Sequence, residues 1–269
     1  MSRRVWRITS LEYTVLVMAV DILELAEFYA GLDGTRARAQ IVQKIDALWP
    51  DPQAEPVLGF GYVLPYANVL WPDAVWHLCM PAQQGVLVED RAAGVRSALV
   101  DEGLMPLRDG ALGRAIIIHG LEAANHSNAL LSEIWRILVP NGRAIFVVPN
   151  RTGMWARRDA TPFGAGRPFS RRQLRRQLKA AGFSIASIRP ALMLPPALPK
   201  FLVQLLAPAE RLLALLLPQI GGVWVVDIVK QVPAPIRAKR RQNVGLGVPV
   251  RPAFSRGVLS RKKRRARAG

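Results

Sequence analysis

His119 ends the apolar run Ala115-Ile116-Ile117-Ile118 and is followed by Gly-Leu-Glu, so an imidazole stands where a buried strand gives way to a turn. In an open α/β sheet, side chains at such strand ends project into the ligand crevice, and an imidazole there can take a proton from a hydroxyl or amine. The position suits equally a structural histidine bonded to Glu122. Asp101 closes a second apolar run, Ala98-Leu99-Val100, where it either faces a ligand or caps the following turn. Gly59 and Gly61 flank Phe60 at the end of a third run; such a pair lets a ligand approach the backbone, or serves only a tight strand-to-turn geometry. His77 lies inside an apolar run and reads as core, and His126 sits in a polar loop or helix start. With Cys79 the only thiol and three scattered histidines, no metal-ligand spacing emerges, and no metal is expected. Neither a Gly-x-Ser-x-Gly elbow nor a phosphate loop ending in Lys-Ser/Thr occurs, so hydrolase and nucleotide-triphosphatase readings fall away.

The elements that must position these residues follow from hydrophobic periodicity. Residues Leu99–Asn150 read as a strand ending at Asp101, a loop, a strand Arg114–His119, a helix, a turn at Asn141–Gly142 and a strand Arg143–Val148. Before this block, Ser10–Leu48 has helical spacing broken at Gly31 and Gly34, with a second helix over Thr35–Trp49 stopped by Pro50 and Pro52. Strands are expected at Val57–Phe60 and Ala74–Met80, with a short helix at Leu64–Leu70 between them. After it come an irregular stretch, a helix Arg171–Ala181 with Ser170 as N-cap and Gly182 closing it, and strands Phe183–Arg189 and Val223–Lys230 around a Leu-rich helix Phe201–Leu217. The strands read as buried on both faces, which predicts a Rossmann-like, doubly wound, mostly parallel α/β sheet with helices on both faces.

A hydrophobic content of 51% over 269 residues supports a real core and excludes disorder as the dominant state. The net charge of +18 is unevenly placed: residues 233–269 hold twelve of the 37 basic residues and no acid, which leaves +6 for residues 1–232. Rich in Gly and Pro, that tail reads as disordered and able to attract an anionic partner, nucleic acid or a membrane surface, without specificity. The expected organisation is an N-terminal helical lid over 1–55, an α/β domain over 56–232 and the basic tail. A single cysteine, no recognisable leader and no clean apolar span make a cytoplasmic setting the expectation.

The segments MPLRDGALGRAIIIHGLE, LLSEIWRILVPNGRAIFVVPN and FGAGRPFS, in register over about half of the chain, resemble the class I S-adenosylmethionine-dependent methyltransferases, in particular the bacterial type 11 group. That resemblance implies methyl transfer from S-adenosylmethionine to an acceptor, expected to be a small molecule, with His119 as the base. It also implies that Gly59, Phe60, Gly61 and Tyr62 meet the cofactor and that Asp101, with Glu102, Gly103 and Leu104 alongside, faces the adenine amino group. The glycine-rich loop departs from the family pattern, reading Gly59-Phe60-Gly61-Tyr62-Val63-Leu64-Pro65, and the acid of the second strand would fall near Leu78, where none stands. These departures keep open an alternative, a non-catalytic methyltransferase-like binding or regulatory protein. Asn150, Arg151, Trp155, Arg157 and Arg158 read as an aromatic and basic loop at the same sheet end, and Tyr29 as a lid residue near the site.

Overall fold

The computed structural model describes residues 20–49, 55–85, 96–158 and 161–232. The start of the expected first helix and the whole basic tail lie outside the described residues. Contacts divide the chain into a unit of residues 1–232 and a unit of residues 233–269.

Among the described residues seven strands form one sheet: β1 (Val57–Gly61), β2 (Trp76–Pro81), β3 (Arg96–Val100), β4 (Leu112–Ile118), β5 (Leu138–Pro149), β6 (Phe183–Ala191) and β7 (Val223–Lys230), in the order β3-β2-β1-β4-β5-β7-β6. The first five run parallel; β7 is antiparallel to both β5 and β6. This is the expected doubly wound sheet, closed by an antiparallel edge pair. The direction of winding reverses between β1 and β4, so the crevice between their C-terminal ends is where such a sheet receives a ligand.

Strand alternation divides the core. Leu58, Phe60, Ala115 and Ile117 face helices α4 (Ser127–Ile137) and α5 (Arg171–Ala180), whereas Val57, Ile116 and Ile118 share a cluster with α1 (Ile22–Ala30), α2 (Leu32–Asp46) and α3 (Leu64–Leu70). Ser170 caps α5, accepting from the Gln173 N–H at 3.2 Å, and Gly182 ends it with φ +88°. The sixth α-helix, α6 (Lys200–Leu216), with a 3-10 turn at Pro218–Ile220 and another at Trp155–Arg157, completes the set among the described residues.

The strand expected at Ala74–Met80 runs Trp76–Pro81, and the one expected at Arg114–His119 runs Leu112–Ile118, so His119 follows the strand instead of ending it. Two further boundaries differ for physical reasons. Gly31 is the break between α1 and α2, while Gly34 lies inside α2, where a Cβ would come within 2.1 Å of the Phe28 carbonyl oxygen. Gly34 therefore permits close packing of two helices rather than ending one. The strand expected at Arg143–Val148 begins at Leu138, and Asn141, with φ +63°, sits within it as a local irregularity instead of a turn between elements.

Candidate functional site

The crevice between β1 and β4 is pinned by backbone. Gly61 has φ +84°, and a Cβ there would lie 2.2 Å from the Ile118 carbonyl oxygen, which accepts the Tyr62 N–H at 2.8 Å. Only glycine meets both demands. His119, the next residue after β4, itself adopts φ +55°, a conformation disfavoured for a non-glycine residue and found at functional sites.

Its ring is 3% exposed and held on every side. Nε2 lies 2.8 Å from the Tyr29 hydroxyl, which is 2.6 Å from the Tyr66 hydroxyl. Nδ1 lies 3.3 Å from Glu122 Oε1, and the Phe163 ring packs at 4.8 Å. The His119 carbonyl oxygen accepts the Gln84 amide N–H at 2.5 Å, and the Gln84 carbonyl in turn accepts the Ile22 N–H at the start of α1. Tyr66 comes from α3 and Tyr29 from α1, so three elements converge on one imidazole. Burial, strengthened by the two hydroxyls facing one another, pushes the Tyr29 phenol well above its ordinary value, and burial raises Tyr66 likewise. Both therefore remain neutral donors in the working range. Glu122 is buried with neither carboxylate oxygen receiving a hydrogen bond, against a cavity of about 10 Å³ shared with His119, Gln84 and Gly166. Gly166, φ +76°, brings its loop against Glu122, whose carbonyl accepts the Arg167 N–H at 3.0 Å.

Asp101 lies just past β3, exposed, and its Oδ1 accepts the Gly103 N–H at 2.8 Å, so it caps the following turn while its other oxygen stays open. Glu102 is buried, accepting the N–H groups of Asn125 and His126 at 3.1 and 2.5 Å, just ahead of the α4 N-terminus. Gly103 is exposed and Leu104 is 75% exposed on the same rim. Gly59 lies inside β1, where a Cβ would meet Leu78 and Val63 side chains at 2.6 and 3.1 Å; Phe60 points to the opposite face, into the α4 and α5 core. Tyr62 is buried, its ring 5.6 Å from that of Tyr29.

The basic loop after β5 is tied into the fold. Asn150 donates to the Gln219 and Gly221 carbonyls at 2.8 and 2.7 Å, Trp155 is fully buried and donates to the Leu194 carbonyl, and Arg158 reaches the Pro196 carbonyl at 3.4 Å. Arg151 bonds Pro168 and Gln173, and the exposed Arg157 ends the short Trp155–Arg157 turn. His77 is half-buried in β2 and His126 is exposed, its Nδ1 3.4 Å from Glu102. Burial pushes the Cys79 thiol up to about 11, which leaves it unreactive.

Comparison with solved structures decides the fold. A SAM-dependent methyltransferase from Thermotoga maritima matches with a TM-score of 0.55 and 17% identity, covering 78% of this chain and 96% of that one. The methyltransferase chain of the complex with the Haloferax volcanii Trm112 methyltransferase activator matches at 0.54 and 16%, covering 79% and 100%. The fold is that of S-adenosylmethionine-dependent methyltransferases. No protein-family model matches the chain, and no curated protein matches it in sequence.

Within this methyltransferase fold, β2 continues past Leu78 to Pro81, so the position sought for an acid moves to the strand end and the turn after it, Ala82 to Gly85. Among the described residues that turn carries Gln83 and Gln84 and no carboxylate. Tyr66 and Gln84 had no signal of their own, and Phe163 was visible only as the first residue of the FGAGRPFS segment. Glu122 was visible only as the acid three residues after His119. Among the described residues no group of three or more His, Cys, Asp or Glu side chains could hold a metal.

Proposed function

We infer that the chain is an S-adenosylmethionine-dependent methyltransferase acting on a small-molecule acceptor, with His119 as the base. The observation that carries the reading is the placement of His119, strained and ringed by hydroxyls and a bare carboxylate, at the reversal point between β1 and β4. Two orphaned acceptors suit the cofactor's chemistry. Glu122 Oε2, which receives no hydrogen bond while Oε1 faces His119 Nδ1, matches a cationic centre beside His119, and the shielded Asn125 Oδ1, also without a donor, stands next to the Glu102 turn, where an amino group would be welcome. Asp101 and Gly103 offer the open rim for the adenine. When bound, S-adenosylmethionine supplies an electrophilic methyl group on a sulfonium. His119 Nε2 takes the acceptor's proton once the Tyr29 hydroxyl has withdrawn, and Glu122 Oε1, 3.3 Å from Nδ1, stabilises the resulting imidazolium. Alignment of acceptor and methyl supplies the rest of the rate.

One observation favours a second reading. The cavity at His119 admits about one water, Tyr29, Tyr62 and Tyr66 are all buried, and the described turn directly after β2, Ala82 to Gly85, carries no acid. A binding protein that has kept the fold would look the same. Calorimetry with S-adenosylmethionine and S-adenosylhomocysteine separates the two. Binding of both, and a His119→Asn variant that still binds them but turns over about 100-fold or more slowly, is the expected outcome. Absence of heat and of any thermal shift at millimolar ligand sinks the enzyme reading.

A further inference from the structure

Helix α6 turns an apolar face outward. Phe201, Leu205, Leu212, Leu215 and Leu216 are 67, 71, 56, 77 and 63% exposed. At 100° per residue they fall within an arc of about 100°, one continuous stripe along the helix. Pro208, also exposed, lies on the same stripe, and Gln204 at its edge is the polar side chain closest to it. The helix's single acid, Glu210, points the opposite way and accepts both hydrogen bonds from the Gln40 amide of α2 at 3.0 Å. Scattered exposed leucines are ordinary, but five large ones in a charge-free line are not.

We propose that this stripe inserts into the headgroup region of an anionic lipid bilayer, with the chain's basic charge holding the protein there. The stripe suits lipid better than protein, because a protein partner needs polar groups at the rim to fix register and the stripe has almost none. Charge decides between a bilayer and a second copy: a net charge of +18, twelve of the basic residues in 233–269 without one acid, attracts an anionic surface and repels another copy of the same chain. Lys200, exposed at the helix start, adds to it. Of the nearby acids, Asp33 is engaged, accepting the Ala197 N–H at 2.7 Å beside Arg36, and the exposed Glu27 lines the same cleft as Ala197, which holds no residue of the stripe. The arrangement is one of lying on the membrane: among the described residues no helix is long and apolar enough to cross it.

Flotation of the full chain with vesicles of phosphatidylcholine alone, or mixed equally with phosphatidylglycerol, tests this. Binding to the mixed vesicles and not to the neutral ones is expected. The triple variant Leu205→Gln/Leu212→Gln/Leu215→Gln should lower it roughly tenfold or more with an unchanged melting temperature, since those side chains touch water already. Leu23→Gln, a 66% exposed position on α1, should bind as the parent does. Equal flotation of parent and triple variant overturns the proposal, as does a parent that ignores anionic vesicles. Sedimentation velocity showing a dimer that the triple variant dissociates, with flotation unaffected, assigns the stripe to a second copy and also overturns it.

Discussion

At the scale of single residues, the tyrosines around His119 make the sharpest commitment. Tyr29 and Tyr66 place their hydroxyls 2.6 Å apart in a fully buried setting, and both phenols are held above the ordinary range near 10, chiefly by burial. A group whose folded pKa is raised contributes stability that is complete below its unfolded pKa and is lost as pH climbs above it. The protein should therefore lose stability from about pH 10 upward, and at pH 11 a spectrophotometric titration should leave Tyr29 and Tyr66 un-ionised until the chain unfolds. Tyr29→Phe removes the hydroxyl while keeping the ring, so it should flatten that alkaline loss and expose Nε2 of His119. Smooth ionisation of all four tyrosines near pH 10 without unfolding would contradict the buried arrangement.

Among elements, the seam between α4 and the segment leading into β4 depends on one carboxylate. Glu133 is buried; its Oε1 accepts the Met105 N–H at 2.7 Å and its two oxygens accept Arg136 at 2.5 and 2.8 Å, while Arg136 also reaches Asp109. The guanidinium holds the Glu133 carboxyl below its usual value. The depressed case has the opposite sign: the stabilisation is present above the unfolded value near 4.3 and disappears as pH falls through the folded one. Glu133→Gln should cost about 1–3 kcal/mol at pH 7 in urea melts and show a shallower decline between pH 5 and 3 than the parent. Elements of this kind were readable from periodicity, because short apolar runs and a helix period survive in local sequence: β1, α3, α5 and the β6–β7 edge pair stand near their expected positions. The site was less readable. Tyr29 and Tyr66 are 37 residues apart, and Tyr29 and His119 are 90 apart, so their meeting is a property of packing that no local pattern encodes. Asp101 illustrates the same limit: sequence allowed ligand or cap, and the bond to Gly103 N–H supplies the cap without excluding the ligand at its free oxygen.

For the molecule as a whole, charge and fold are separable quantities. Residues 1–232 form one contact unit carrying a net charge of +6, and residues 233–269 carry the remaining +12. Every buried side chain of the sheet and of the His119 cluster belongs to the first unit. Cutting after Val232 should therefore leave the melting temperature within about 2 °C of the parent, since it removes none of the side chains of that core. It should leave S-adenosylmethionine binding unaltered as well. Vesicle binding should respond differently: the apolar stripe on α6 survives the cut, but the long-range attraction that concentrates the protein at an anionic surface falls with the charge. The expected result is weaker binding to phosphatidylglycerol vesicles at 50 mM salt and a much smaller difference between 50 and 300 mM salt than the full chain shows. Retention that stays equally strong and equally salt-sensitive after truncation would place the electrostatic anchor in residues 1–232, and a fall in melting temperature of more than a few degrees would mean that the tail packs on the domain.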